Sequence, residues 1–305
     1  MGDTGGLLKV IVVNRKDEFI TKYIYGNNIV DLDEYVVRLT SYCPLECTYC
    51  FINEFNRDKT ARIYNNYDKL DNEIRKIRTK TGSTPLYFNA GENADSLLFD
   101  AKYRITSKIV PIFQKYRNVY LELRTKTVNT GNLLRLKNKN NIIAAFSLSP
   151  ETAIRKYESK SAGLDERISA LLECQKSGFK TGIRFEPVIN IPDLEKEYTG
   201  IIQKLADSLD KQAIHSITVS CIRFTRNQYS KLMNESNEIV FDEFVLCPDN
   251  KYRYYRLLRV KMYNTIIRLI REYLPGIPVL LATEPGYIWK SCKLNLLTMP
   301  KICNI

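Results

Sequence analysis

Thr40-Ser41-Tyr42-Cys43-Pro44-Leu45-Glu46-Cys47-Thr48-Tyr49-Cys50-Phe51 decides how the rest of the chain is read. Three cysteines at C-x₃-C-x₂-C spacing fall within eight residues. They follow Glu34-Tyr35-Val36-Val37-Arg38-Leu39, a short β-branched run that reads as a buried strand. Three thiolates can hold three irons of a [4Fe–4S] cluster and leave the fourth iron open to a ligand. Soft thiolates also suit zinc. Zinc ribbons, however, join one C-x₂-C pair to a second one downstream, and this chain has only one. A ferredoxin pattern needs a fourth nearby cysteine followed by proline. The spacing favours a cluster with one open iron over zinc or uncoordinated thiols.

Outward from the loop, strand-like runs alternate with helical ones. The strands are Pro85–Asn89, Val119–Leu123, Ile142–Ser147, Thr181–Phe185 and Ile214–Ser220; the helices are Tyr67–Arg78, Asp100–Tyr116, Leu164–Ser177 and Leu194–Leu209. With the strand at 34–40, this rhythm implies a parallel sheet and an α/β fold, a partial (β/α)₆ TIM-type barrel. The expected division is an N-terminal extension over 1–33 with a strand at Leu7–Val13, a barrel over 34–221, and a C-terminal part over 222–305, carrying a helical segment, packed on the same domain. Ile277–Ala282 reads as a late strand and Thr283–Lys290 as a turn into a last helix. The cysteine loop then lies at the carboxyl end of the first strand, where barrels place their chemistry.

The 305 residues suit one α/β domain, with no run of eighteen apolar residues and no signal-peptide pattern. A cytoplasmic protein without membrane contact is expected, its eight cysteines reduced. The formal net charge of +12 favours anionic partners, although a solvated basic surface accounts for it equally well. Cys174, Cys221, Cys247, Cys292 and Cys303 have no metal-ligand spacing. Cys174 reads as core, whereas Cys221, after the sixth strand, can face the barrel mouth. His215 starts a strand at the opposite end and reads as structural. The basic stretch around Arg253, Tyr254 and Arg256 suits either phosphate or base contacts or packing.

The cysteine loop resembles the signature of the radical S-adenosylmethionine (SAM) superfamily. That resemblance implies a [4Fe–4S] cluster on Cys43, Cys47 and Cys50, with SAM on the open iron and Tyr49 beside the adenine. It also implies reductive cleavage of SAM to a 5′-deoxyadenosyl radical that abstracts hydrogen, and a reducing partner such as flavodoxin or ferredoxin.

A more specific resemblance covers roughly residues 34 to 291. Leu121-Glu122-Leu123-Arg124-Thr125-Lys126-Thr127-Val128-Asn129, Phe146-Ser147-Leu148-Ser149-Pro150-Glu151, Arg184-Phe185-Glu186-Pro187-Val188-Ile189, Ile222-Arg223-Phe224 and Lys251-Tyr252-Arg253-Tyr254-Tyr255-Arg256 resemble the spore photoproduct lyase family, in its order. The family's enzyme repairs a thymine dimer in spore DNA, and a cysteine thiol returns hydrogen to the thymine radical. That cysteine's position is Glu92 here, and the tyrosine of the family's relay is Phe51. Ala90-Gly91-Glu92 is similar instead to the Gly-Gly-Glu motif that holds the methionine ammonium of SAM in many superfamily members, a charge-assisted contact. By the same resemblance Lys126 pairs with the methionine carboxylate and Ser147 contacts SAM, while Cys221 is a candidate substitute hydrogen donor. The expectation is an enzyme acting on a nucleoside, nucleotide or sugar derivative. DNA lesion repair with a relocated donor, peptide modification and a zinc-stabilised nucleic-acid-binding module are the alternatives.

Overall fold

The computed structural model describes residues 8–55 and 58–303. Six strands run parallel in sequence order: β1 (Glu34–Val37), β2 (Leu86–Asn89), β3 (Val119–Thr125), β4 (Ile142–Ser147), β5 (Lys180–Val188) and β6 (Ile214–Cys221). Every residue of β4, Ile142-Ile143-Ala144-Ala145-Phe146-Ser147, is buried, as a strand covered on both faces requires. Helices Tyr67–Thr81, Leu164–Lys176 and Leu194–Ser208 cross between β1 and β2, β4 and β5, and β5 and β6. The sheet curls into the partial barrel expected from the alternation.

The sheet is wider than six strands. A seventh parallel strand, β7 (Val279–Leu281), lies beside β6, and Ile20–Lys22 pairs antiparallel with β1 at the other edge. The stretches before residue 34 and after residue 221 therefore both supply strands to the main sheet. Lys9–Val13 forms a strand, but in a separate sheet, parallel to Thr60–Tyr64; Leu7 lies outside the described residues. Thr40–Ser41, at the root of the cysteine loop, pairs antiparallel with the same Thr60–Tyr64.

One expectation needs correction. The helix expected over Asp100–Tyr116 is two helices, Asp100–Tyr103 and Ile105–Phe113, divided by Arg104 at φ 52°. The buried Asp100 carboxylate explains the break: it accepts from the Thr106 amide at 2.7 Å and hydroxyl at 2.8 Å, capping the new helix instead of continuing the old one. The part after Cys221 carries the expected helical segment and adds a small sheet before it. Arg223–Phe224, Phe244–Leu246 and Tyr252–Tyr254 form a small antiparallel sheet before the long helix Arg256–Tyr273. Among the described residues no helix is long and apolar enough to cross a membrane.

Candidate active site

The cysteine loop leaves the carboxyl end of β1 and turns through left-handed residues Tyr42 (φ 70°) and Glu46 (φ 47°). Glu46 is tied to Lys160 and Lys59, and the Thr48 amide donates to the Tyr157 carbonyl at 3.0 Å. These contacts dock the loop on the barrel mouth. Cys43 and Cys47 are buried and Cys50 half-buried. Burial pushes the Cys43 and Cys47 thiols up to about 12, although backbone amides of Leu45 and Asp95 donate to Cys43. Binding a metal through such thiols displaces their protons.

The loop forms one wall of a cavity of about 350 Å³ at the carboxyl ends of the strands, a size ordinary for small-molecule sites. Cys43, Cys47, Cys50 and Tyr49 line it from this wall. Gly91 and Glu92 line it after β2, Lys126 after β3, Ser147 at the end of β4 and Cys221 at the end of β6. The structure thus brings to one cavity nine of the residues singled out from sequence. Arg253, Tyr254 and Arg256 are elsewhere. Arg253 is buried against Asp249 and Glu284, the Tyr254 hydroxyl accepts from the Asn190 amide at 3.0 Å, and Arg256 covers the Tyr287 ring. His215 is half-buried and stacked on the Tyr87 ring, and desolvation holds its imidazole down at about 4.

Two charged arrays position the cavity side chains. In the first, Lys126 donates to the Tyr49 hydroxyl at 2.8 Å and to Glu158 at 3.0 Å. Arg167, fully buried, reaches the other oxygen of Glu158 at 2.6 Å and the Ser147 carbonyl at 2.8 Å. Burial opposes ionisation of Glu158, but Lys126 and Arg167 outweigh it and hold the carboxyl at about 2. In the second, Arg124 bonds Glu34 at 2.7 Å and Glu122 at its Nε, and faces Glu92 at 3.6 Å. Burial raises the Glu92 carboxyl, with Arg124 and Arg223 pulling the other way. Arg184 continues the array from Glu122 at 3.3 Å to Glu186. Asp95 ties the two sides together, accepting from the Lys126 amide at 2.6 Å and the Thr125 hydroxyl at 2.8 Å.

Sequence reasoning gave no role to Arg124, Glu158, Arg167, Arg184, Glu186 or Asp95. A signal existed for three of them. Glu122 and Arg124 on β3, and Arg184 and Glu186 on β5, are charges two apart in otherwise apolar strands, so each pair shares a face. Glu158 and Arg167 lie on separate elements and carry no such mark.

A curled parallel sheet with a three-cysteine loop at its carboxyl end is the radical SAM type of partial barrel. The chain belongs to the spore photoproduct lyase family, whose model matches residues 22–256. It is 24% identical over 223 residues to the spore photoproduct lyase of Clostridium acetobutylicum, covering 73% of this chain and 65% of that protein. To the Bacillus subtilis enzyme it is 23% identical over 205 residues, 67% of this chain and 60% of that one. The chain thus spans less than two thirds of the length of these curated relatives. Among solved structures, spore photoproduct lyase complexed with dinucleoside spore photoproduct matches with a TM-score of 0.76 at 19% identity, covering 89% of this chain and 81% of that chain. Streptococcus suis SuiB bound to precursor peptide SuiA matches at 0.54 and 11%, covering 84% and 49%. At these identities the likeness is one of fold.

Proposed function

We propose that the protein is a cytoplasmic radical SAM enzyme that abstracts hydrogen from a nucleoside, nucleotide or sugar derivative. The observation that carries this reading is the convergence of Cys43, Cys47, Cys50, Glu92, Lys126 and Ser147 on one cavity. The donor set fits the cofactors. Among the described residues no three His, Cys, Asp or Glu side chains close on a single metal-ion position; a cluster binds one iron per thiolate and needs no such point. Cluster and SAM together supply a 5′-deoxyadenosyl radical when bound.

This chain's own residues hold and exclude. Lys126, braced by Glu158, offers its ammonium to a carboxylate, and Glu92 offers an acceptor to an ammonium. Tyr49 would lie beside the adenine, Gly91 lets the loop approach, and Ser147 would supply a hydroxyl. Cys221 is a thiol on the cavity wall placed to return a hydrogen atom, while a flavodoxin- or ferredoxin-type protein supplies electrons.

Family membership favours a second reading, repair of the spore photoproduct. Glu92 and Phe51 at the positions of the family's hydrogen-returning cysteine and tyrosine weigh against it, because neither side chain gives up a hydrogen atom at useful cost. Incubating reconstituted protein with SAM, dithionite and deuterated candidate substrates tests the proposal: deuterium in 5′-deoxyadenosine identifies the substrate, and its absence throughout counts against the proposed class.

A further inference from the structure

We propose that Arg223, Lys251, Thr225 and Gln228 form an anion-recognition pole of the cavity that takes a phosphate ester on the substrate, an inference that rests on the radical-enzyme reading for what happens to that substrate. All four side chains line the cavity. The methionine carboxylate of SAM already has Lys126 assigned to it, so this second cationic pair has no partner in the cofactor.

The two cations of the pole are loosely paired. Arg223, two residues past β6, stands 3.9 Å from Glu186 and 3.5 Å from the Ser220 hydroxyl, while Glu186 is committed to Arg184. Lys251 is half-buried, and its ammonium makes no hydrogen bond or ion pair among the described residues. Burial and the adjacent Arg223 push that ammonium down, and the more weakly acting Asp249 and Glu54 do not offset them. Of the nearby carboxylates, Asp249 pairs with Arg253 and Glu92 faces Arg124, while Glu54 accepts from the Thr225 hydroxyl at 2.7 Å and keeps its charge.

Gln228 gives the independent sign of a ligand. It is 5% exposed, and its Oε1 has no hydrogen-bond partner. A buried amide oxygen left so costs about 1–3 kcal/mol unless something donates to it. A sugar hydroxyl beside the phosphate meets that need. Thr225 is also the N-cap of the nine-residue helix Arg226–Asn234, so the positive end of its dipole faces the same corner.

Calorimetric titration of the full, anaerobically reconstituted chain with ribose 5-phosphate and with ribose, at fixed ionic strength, tests the pole. Ribose 5-phosphate is expected to bind about tenfold or more tighter than ribose. Arg223→Gln and Lys251→Gln should each remove most of that preference, and Lys231→Gln, a surface change on the same helix, should keep it. The Lys251 ammonium makes no hydrogen bond or close ion pair among the described residues, so its variant tests the idea even where Arg223→Gln fails to fold. Equal binding of the two probes, no binding of either, or a preference surviving in the Lys251 variant overturns the pole. Formation of 5′-deoxyadenosine is scored separately. A phosphate preference without it upholds the pole and removes the radical reading; 5′-deoxyadenosine without the preference removes the pole alone.

Discussion

Lys126 donates to the hydroxyl of Tyr49 across 2.8 Å, with its ammonium 5.3 Å from the centre of the Tyr49 ring. One contact thus links the end of β3 to the cysteine loop, the proposed carboxylate-binding residue to the proposed adenine-binding one. Lys126→Met should weaken SAM binding by about tenfold or more, the worth of a charge-assisted hydrogen bond, while iron content is kept. Anaerobic calorimetry checks this, and unchanged affinity would remove Lys126 from the site.

The same array makes a pH prediction. The Glu158 carboxyl stands at about 2 in the folded chain against an ordinary 4.5. Its stabilisation is therefore complete above the ordinary value and disappears as pH falls through the folded one. Glu158→Gln should cost about 3–5 kcal/mol at pH 7, because it leaves Arg167 buried and unpaired. In urea unfolding the gap between wild type and variant should narrow between pH 4.5 and 2. A gap that stays constant to pH 3 would contradict the pairing.

Gly91 lies against Arg124. A Cβ at Gly91 would stand 2.3 Å from the Arg124 Cβ and 3.2 Å from its Cα. Gly91→Ala should destabilise the fold by about 1–3 kcal/mol, as overpacking does, and displace Glu92. Urea midpoints and SAM affinity measured on one preparation would show both effects, and loss of neither would mean that the loop can move aside.

These cases separate what the sequence discloses from what it hides. The strand-helix rhythm revealed all six barrel strands, because buried parallel strands are short, apolar and evenly spaced. It missed the division at Arg104, which depends on the Asp100 side chain reaching forward six residues. β3 runs two residues past its expected end because Arg124 and Thr125 are polar yet buried in the barrel lumen. The cysteine loop stood out by its own spacing and Lys126 by the family resemblance, and both line the cavity. Arg167 was not, since its partner Glu158 and the Ser147 carbonyl come together only in the fold.

Glu92 and Phe51 carry a prediction on substrate. Dinucleoside spore photoproduct, offered with SAM and dithionite, should not be converted to thymidines at a substantial rate. Chromatography of the products decides it. Efficient conversion would show that another thiol, Cys221 foremost, returns the hydrogen, and would restore DNA repair as the function.

The central claim is that Cys43, Cys47 and Cys50 hold a cluster that cleaves SAM beside this cavity. The direct measurement is 5′-deoxyadenosine released after anaerobic reconstitution to about four irons per chain and addition of SAM and dithionite. The account predicts SAM-dependent product from the wild type and none from Cys47→Ala, which should also lose the broad visible absorption. No product from a fully loaded wild type, or equal product from both proteins, would contradict it.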